Sequence, residues 1–133
     1  MSKETKLTPV EWEIMDAIWR IGGSPSIREV LENAFPKGEK AYTTVQTFMN
    51  ILVKKGLLTS KKIGLVNFYS PVKSREEIVS SEIKSIIGRV FNGSIPAMAS
   101  FLFNSKEIGV EEIAVIKELL DKKEHELREK KND

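Results

Sequence analysis

A helical pattern followed by a hairpin pattern occupies residues 41–72, which read AYTTVQTFMNILVKKGLLTSKKIGLVNFYSPV. From about Tyr42 to Lys55, apolar residues return at intervals of three and four, the spacing that places side chains on one face of a helix. Gly56 follows directly and suits the position after a helix end, where a left-handed backbone is common. We therefore predict a helix whose narrow core-facing stripe consists of Val45, Phe48, Met49 and Leu52.

The opposite face of this predicted helix is short, hydrogen-bonding and almost uncharged. It comprises Thr43, Gln46, Thr47, Asn50 and Lys54, with Thr44 at its flank. Side-chain amides offer a donor and an acceptor that match N6 and N7 of adenine, and threonine can hydrogen-bond a base or contact a thymine methyl group. The hydroxyl groups of Tyr42 and Thr43, at the helix N-terminus, suit phosphate contacts. A polar face of this kind is also typical of a helix that simply meets solvent, so its neighbours in the chain decide between the two interpretations.

Two predicted strands, Leu57–Ile63 and Leu65–Val72, flank Gly64. Their aromatic and β-branched residues favour strands over helices, so they should pair as a hairpin. The tip of this hairpin is polar and basic, and carries Lys61, Lys62 and Asn67. We expect these side chains, together with Lys54 and Lys55, to lie beside the groove of a DNA duplex and to contact its phosphates.

Two shorter helices are predicted before this segment. Thr8-Pro9-Val10-Glu11 combines a capping threonine, a proline suited to the first helical position and a glutamate that can complete a capping box, and Gly22-Gly23 ends this helix. Ser26 begins a second helix that continues to Ala34. The order helix, helix, helix, hairpin is the arrangement of a winged helix-turn-helix, in which the second helix of the motif enters the major groove. We therefore predict a mainly α fold with a small β-hairpin, in which residues 1–73 form a DNA-binding domain.

The charge of the chain is distributed unevenly. Residues 1–73 carry 11 basic and 7 acidic side chains, whereas residues 74–133 carry 10 basic and 12 acidic ones. Between Lys40 and Arg75 there is no acidic residue. A one-signed stretch inside a folded module is typical of a surface that faces phosphates, although it also occurs on plain solvated surfaces. Its coincidence with the polar helix face and the hairpin favours a nucleic-acid partner.

Three further helices are predicted in the rest of the chain, at about 74–91, 94–103 and 110–129. Their apolar faces are difficult to bury within one copy, because lone cores below about 70 residues are marginal. We therefore predict that residues 74–133 form a helical dimerisation domain. The apolar side chains expected at its interface are Ile78, Ile83, Ile86, Ile87, Val90, Phe91, Met98, Phe101, Leu102, Ile113, Ile116, Leu119 and Leu120.

Several function classes find no support in the sequence. The chain has no cysteine, and its single histidine, His125, lies among charged residues. It contains neither a glycine-rich phosphate loop nor a Ser/His/Asp set that suits catalysis. We therefore predict a protein that is not an enzyme and that uses no cofactor or metal. The first residues lack the apolar stretch of a secretion signal, and the longest apolar run is far below the ~20 residues of a membrane-spanning helix, so we expect a cytoplasmic location and no membrane partner.

Four segments carry a family resemblance: LTPVEWEIM at residues 7–15, AYTTVQT at 41–47, KKGLL at 54–58 and FYSPV at 68–72, together with Trp19. On these residues the chain resembles the penicillinase-repressor family, the BlaI/MecI type of winged-helix regulators. The resemblance implies a homodimeric repressor that binds operator DNA and whose C-terminal helices interlock. In the best-known members it also implies derepression when a membrane sensor of β-lactam triggers cleavage in the C-terminal module, so a sensor-controlled protease is an expected partner.

The chain departs from the family pattern at three points. Ile51 stands where members often carry an arginine after the asparagine of the recognition helix, so the family's operator sequence is not carried over. The bond cleaved in the family resembles Asn-Phe, and the matching bond here is Ser100-Phe101 or Phe101-Leu102. Copper-responsive relatives use C-terminal cysteines, which this chain lacks, so copper sensing by that route is excluded.

Two functions remain open at this point. The first is transcriptional repression by a homodimer whose recognition helices lie about one DNA turn apart, ~34–36 Å, over a near-palindromic operator. The second is a winged-helix protein-interaction module without specific DNA binding, in which the hairpin and the third helix dock a partner protein. A preference for the chain's own promoter over random DNA distinguishes the first function from the second.

Overall fold

The N-terminal half of the chain consists of three helices followed by an antiparallel hairpin, and the C-terminal half is helical. The computed structural model describes residues 6–105 and 107–131. In chain order its elements are α1 (Pro9–Ile21), α2 (Ile27–Ala34), α3 (Tyr42–Lys54), β1 (Leu58–Ile63), β2 (Val66–Pro71), α4 (Arg75–Val90), α5 (Ile95–Ser105) and α6 (Val110–Lys131). The predicted order of helices and strands is confirmed, and the boundaries differ from the predicted ones by no more than a few residues at element ends.

Reciprocal side-chain caps begin the helices where the sequence predicts helix starts. In α1 the Thr8 hydroxyl accepts a hydrogen bond from the Glu11 amide at 3.3 Å, and the Glu11 carboxylate accepts one from the Thr8 amide at 2.9 Å. The same capping box begins α2 and α4, where it is formed by Ser26 with Glu29 and by Ser74 with Glu77. Each box satisfies two amide groups that the first helical turn leaves without partners, so local sequence determines where these helices begin.

Strands β1 and β2 pair around the two-residue turn Gly64-Leu65. Gly64 has φ +64°, a left-handed value that suits the first central position of a type II′ turn and that glycine adopts without steric cost. The pairing sets Lys62 opposite Asn67, and Tyr69 lies two residues further along on the same face. Because Tyr69 is buried, this face of the hairpin is the one that lies against the core.

The hairpin is attached to the connector between α1 and α2. The Tyr69 amide donates a hydrogen bond to the carbonyl oxygen of Pro25 at 2.9 Å. The next residue of the connector, Ser26, forms an isolated antiparallel bridge with Phe68. These contacts hold β2 beside the start of α2, and they determine where the hairpin stands relative to the first helices.

One apolar core joins the three N-terminal helices to the hairpin. Its most enclosed side chains come from all three helices and both strands, and include Ile14, Met15, Ile18, Val30, Val45, Met49, Leu52, Leu58 and Tyr69. The predicted stripe of α3 is confirmed, because Val45, Met49 and Leu52 are buried and Phe48 packs half-buried against the same core. Burying an aliphatic side chain of this size contributes about 1.5–3 kcal/mol, so the stripe anchors α3 to the domain.

The chain divides into two units inside α4, between Ser85 and Ile86. Ile78, in the first half of this helix, is 4% exposed and belongs to the N-terminal core. The sequence prediction placed Ile78 among the dimerisation residues, and the structure corrects this placement, because the first turns of α4 pack against their own domain. Arg75 continues the attachment through an ion pair with Asp16 at 2.9 Å. The N-terminal unit therefore extends past residue 73 into α4.

The C-terminal unit contains the end of α4 together with α5 and α6. No described residue of α5 or α6 is buried. The rings of Phe91 and Phe101 contact each other with their centroids 5.9 Å apart. An open apolar groove of about 400 Å³ is lined by Phe103, Ile108, Ile113, Ile116, Lys117 and Leu120. This unit thus leaves apolar surface uncovered, in contrast to the closed core of the N-terminal unit.

Candidate nucleic-acid interface

The polar face of α3 is turned away from the core. Thr43, Thr47, Asn50 and Lys54 are exposed, while Thr44 and Gln46 are half-buried. The helical period explains this arrangement, because burying the apolar stripe leaves the opposite side chains in solvent. The predicted base-reading face is therefore accessible to a partner.

The start of α3 is polar and has no side-chain cap. Ala41 occupies the capping position and makes no side-chain hydrogen bond to the first turn. Amide groups at a helix start point outward, and the helix dipole favours an anion there. Tyr42 and Thr43 stand at this end with exposed side chains, and the Thr47 hydroxyl donates to the Thr43 carbonyl oxygen at 2.9 Å. A phosphate group is the kind of ligand that this end of the helix suits.

An open groove of about 390 Å³ lies between the start of α3, the start of α2 and the hairpin turn. Its lining brings together three of the predicted DNA-contacting residues, Tyr42, Gln46 and Asn67. The groove also contains Arg28, whose guanidinium carbon lies 5.4 Å from the centroid of the Tyr42 ring. The sequence prediction missed Arg28, although a basic residue in the first turn of α2, off the apolar face of that helix, was a signal that could have indicated it.

The two hairpin lysines lie on opposite faces of the ribbon. Lys62 pairs with Asn67 on the face that continues to Tyr69, whereas Lys61 pairs with Phe68 on the other face. Both lysine side chains are exposed. Because Asn67 lines the same groove as the residues of α3, Lys62 is the lysine on the α3 side of the hairpin.

A hydrogen bond joins the hairpin to the polar face of α3. The hydroxyl group of Tyr69, a residue that is 1% exposed, donates to Oδ1 of Asn50 at 3.1 Å. Burial raises the pKa of Tyr69 above its ordinary value of 10.0, and the nearby Tyr42 adds to the rise, so the phenol loses its proton only in more alkaline solution than an exposed tyrosine does. The sequence alone does not reveal this contact, because it depends on the register of the hairpin and on its distance from α3.

Lys55 is placed differently from the sequence prediction. Its ammonium group lies 2.7 Å from Oε1 and 3.0 Å from Oε2 of Glu11, which is 2% exposed. Burial alone raises the pKa of this carboxyl group, but hydrogen bonds from Lys55 and from the Thr8 amide outweigh that effect, and the pKa is held below its ordinary value. Lys55 therefore neutralises a buried carboxylate and joins the start of α1 to the end of α3. We leave it out of the phosphate-contacting set, in which the adjacent Lys54 remains.

The predicted dimerisation residues other than Ile78 keep much of their surface. Eight of them are exposed, namely Ile83, Ile86, Val90, Phe101, Leu102, Ile113, Leu119 and Leu120. The others are half-buried, namely Ile87, Phe91, Met98 and Ile116. At the predicted cleavage position, Ser100, Phe101 and Leu102 lie within α5 and are exposed.

The remaining polar residues do not converge into a metal site in the part of the chain that the structure describes. Nε2 of His125 lies 3.2 Å from Oε2 of Glu129, one turn further along α6. Within residues 6–105 and 107–131, no three His, Asp or Glu side chains cluster as metal ligands do.

In the same residues no single helix is long and apolar enough to cross a membrane, although the bent pair α4 and α5 reaches that length and composition together.

The short helix α2, the outward polar helix α3 and the lysine-bearing hairpin define a winged helix-turn-helix protein. The chain is similar to the solution structure of the DNA-binding domain of the repressor BlaI, with a TM-score of 0.50 and 30% sequence identity. The match covers 58% of this chain and 93% of that one. The sequence model of the penicillinase repressor family matches residues 7–122, and the chain belongs to this family.

Named relatives agree with this assignment. The penicillinase repressor of Bacillus licheniformis is 28% identical over 130 residues, which are 98% of this chain and 99% of that protein. The transcriptional regulator BlaI of Mycobacterium tuberculosis is 34% identical over 80 residues, 60% of this chain and 58% of that protein. The methicillin resistance regulatory protein MecI of Staphylococcus aureus is 23% identical over 122 residues, 92% of this chain and 98% of that protein. The family resemblance seen in the sequence is confirmed, and these relatives are named as regulators rather than as enzymes.

The ion pair between Glu11 and Lys55 generates a prediction for stability. Lys55→Met leaves the buried carboxylate of Glu11 unpaired, and we expect it to lower the free energy of unfolding at neutral pH by about 1–3 kcal/mol. This loss is smaller than the full cost of breaking a buried ion pair, because the Lys55 side chain is 30% exposed. The pKa of Glu11 is lowered in the folded state, so its ionised carboxylate stabilises the fold. This contribution is complete when the pH is above the ordinary carboxyl pKa of 4.5, and it is lost as the pH falls through the lower pKa of the folded state. Urea denaturation at about pH 7 and about pH 3.5 should therefore show the difference between the two proteins shrinking in acid.

The exposed ion pair between Arg75 and Asp16 provides the matched control. Asp16→Asn breaks a pair whose side chains are 55% and 34% exposed, and such pairs contribute about 1 kcal/mol or less. The interpretation of Lys55 is wrong if Lys55→Met destabilises the protein no more than Asp16→Asn does, or if its effect is the same at both pH values.

Proposed function

We propose that this chain is a transcriptional repressor that binds a near-palindromic operator as a homodimer and acts by binding, without catalysis, in the cytoplasm. In this proposal residues 1–73 contact DNA. Dimerisation depends on the part of residues 74–133 that follows the first turns of α4, because those turns pack against the N-terminal core. The observation that carries the proposal is the outward polar face of α3, in a chain that belongs to the penicillinase repressor family.

The residues of this face supply the contacts that read base edges. Gln46 and Asn50 carry amides, which can donate and accept hydrogen bonds in the major groove. Thr43 and Thr47 add hydroxyl and methyl groups on the same side of the helix. All four are uncharged, so their contribution depends on hydrogen-bond matching with particular bases rather than on attraction to any duplex.

Basic residues around this face supply contacts to the phosphates. Lys54 stands at the end of α3, Lys62 on the α3 side of the hairpin, and Arg28 beside Tyr42 at the opposite end of α3. Contacts of this kind position a protein on the duplex but carry no sequence information. The stretch between Lys40 and Arg75, which supplies Lys54 and Lys62, contains no acidic side chain that would repel the phosphates.

Substituting one residue of each kind separates base reading from phosphate contact. Gln46→Ala should reduce the preference for operator over random DNA by about 1–3 kcal/mol for each base that the Gln46 amide reads. Lys62→Ala should weaken binding to every duplex about equally, and should lower the slope of log affinity against log salt by about 0.9 per protomer. Anisotropy titrations over a range of salt measure both effects, on the operator found by footprinting the chain's own promoter and on random duplex.

The control for these two variants is Lys122→Ala, which removes the same charge from α6 and should leave both quantities unchanged. If Gln46→Ala and Lys62→Ala behave alike, the assigned roles are wrong. Equal affinity of the unsubstituted protein for promoter and random DNA, together with a stable complex with another protein, would instead support a protein-interaction module.

The homodimer is supported by the apolar surface of the C-terminal unit. Phe101, Leu119 and Leu120 are 60%, 62% and 62% exposed, respectively, and no described residue of α5 or α6 is buried. Contiguous apolar surface is unfavourable in water and marks an interaction site. We propose a second copy of this chain as its occupant, because self-association also supplies the two recognition helices that a near-palindromic operator requires.

A charged substitution in the apolar groove of α6 tests the dimer. Leu120→Lys should shift the protein toward monomer and weaken operator binding, because burying an unpaired ammonium group in an interface is unfavourable. Glu118→Lys places the same residue on the same helix outside the groove, and should leave the dimer intact. Sedimentation equilibrium measures the mass against the 15.0 kDa of one chain. A monomeric unsubstituted protein, or equal masses for the two variants, contradicts the proposed interface.

We further propose that proteolysis in α5 ends repression, as the family resemblance implies. A cut at Ser100-Phe101 or Phe101-Leu102 would separate α6 from the DNA-binding domain, and with it much of the surface assigned to dimerisation. A protease binds its substrate in extended form, so this segment must first unwind. Within one chain no described residue of α5 is buried, so the packing that opposes unwinding comes mainly from the dimer contacts proposed for Phe101 and Leu102.

The cleavage proposal predicts a defined fragment. In cells exposed to a β-lactam, mass spectrometry should detect an N-terminal fragment of this chain that ends at Ser100 or Phe101, whereas untreated cells should contain the uncut chain. Derepression of the operator while the chain stays uncut would show that another mechanism releases it.

A further inference from the structure

The hydrogen bond between Tyr69 and Asn50 engages one particular atom of Asn50. Its acceptor oxygen, Oδ1, receives the phenol proton across 3.1 Å. In the part of the chain that the structure describes, the Nδ2 group of Asn50 makes no hydrogen bond. This group carries two donor hydrogens, and Asn50 is exposed on the outward face of α3. The amide is thus held at its acceptor end, and its donor end remains available.

We infer that Tyr69 is a positioning residue for base recognition, which orients the Asn50 amide so that Nδ2 faces the DNA as a hydrogen-bond donor. This inference rests on the proposed function, because it concerns how the same surface reads an operator. The residue that touches the base is Asn50, and Tyr69 acts through it from inside the domain.

The orientation changes which bases Asn50 favours. An amide that rotates freely can pair with both N6 and N7 of adenine, using its acceptor and its donor. An amide whose acceptor already receives a phenol proton favours base acceptors, which are N7 of either purine, O6 of guanine and O4 of thymine. Cytosine presents only its N4 donor in the major groove, so it is disfavoured at the contacted position.

Tyr69 is suited to this role because the rest of the residue is fixed. Its ring is enclosed in the core, and its amide donates to the Pro25 carbonyl oxygen at 2.9 Å. A hydroxyl group on a packed ring has little freedom to move, so it can order the side chain of Asn50 before DNA arrives. Ordering a side chain in advance reduces the entropy lost when it binds. The phenol is protonated at neutral pH because the ordinary pKa of tyrosine, 10.0, is already far above 7, and burial raises the pKa of Tyr69 further.

The test removes the hydroxyl group and keeps the ring. Affinities of the unsubstituted protein, Tyr69→Phe and Asn50→Ala are measured by anisotropy on the operator and on each of its single base-pair variants. Asn50→Ala identifies the base pair that Asn50 reads. We expect Tyr69→Phe to lower the discrimination between bases at that pair by about 5- to 10-fold, which is the lower part of the range for removing one base-reading side chain. Discrimination at the other base pairs, and the slope of log affinity against log salt, should stay unchanged. In the Asn50→Ala background, Tyr69→Phe should cause no further loss of discrimination.

The neighbouring residue of β2 offers the matched control. The Ser70 hydroxyl lies 2.5 Å from the Ser24 hydroxyl, and in the strand Ser70 is on the face opposite to Tyr69. Ser70→Ala therefore removes a hydrogen-bonded hydroxyl group from the same strand without touching α3, and discrimination should stay unchanged. A spectroscopic measurement adds a readout before DNA is present, because the side-chain amide resonances of Asn50 should shift in Tyr69→Phe and not in Ser70→Ala.

The possible outcomes separate this inference from the proposed function. If the unsubstituted protein prefers its operator but Tyr69→Phe discriminates as well as it does, or weakens all base pairs equally, the inference is overturned and the proposed function stands. If the unsubstituted protein has no operator preference, the proposed function fails and the inference fails with it. A loss confined to the pair read by Asn50, absent in the double variant, supports both.

Discussion

The burial of Val45, Met49 and Leu52, each 0% exposed, determines how α3 is rotated about its own axis. Because one narrow apolar stripe attaches this helix to the core, its rotation about its own axis is strongly restricted. Turning it by one residue would expose the three apolar side chains and bury polar groups such as Gln46 without hydrogen-bond partners. Two further contacts then fix the same helix, the ion pair of Lys55 at its end and the hydrogen bond to Asn50 on its outward side. The direction in which the polar face points is therefore a consequence of core packing.

Features that depend on neighbours in the chain could be predicted from the sequence. The capping boxes join residues three positions apart, as in Thr8 with Glu11, and the stripe of α3 repeats over single helical turns. The hairpin follows from β-branched and aromatic residues on both sides of Gly64, where the turn needs a left-handed backbone. Because each of these signals is complete within a few residues, the element order and the inward and outward faces of α3 could be derived without the structure.

Features that join distant parts of the chain could not be predicted in this way. Lys55 and Glu11 are 44 residues apart, and a count of charges treats Lys55 like the exposed Lys54 beside it. The apolar pattern of α4 indicates that one face of the helix is buried, but it does not show what buries it. For Ile78 the structure shows that the N-terminal core of the same chain does so, rather than another molecule. The partner of Asn50 likewise depends on tertiary distance rather than on local pattern.

The two units differ in how they bury their apolar side chains. On the proposed function, this difference links dimer formation to DNA binding. The N-terminal unit closes its core with residues of its own chain, whereas α5 and α6 bury none of their described residues. Association of two copies therefore stabilises the C-terminal unit and also holds two reading helices together, so the second half-site is bound at a high effective concentration. Weakening the association lowers operator affinity by a large factor, although every residue that reads DNA is unchanged. Release from DNA can accordingly be controlled in the part of the chain that makes no base contact.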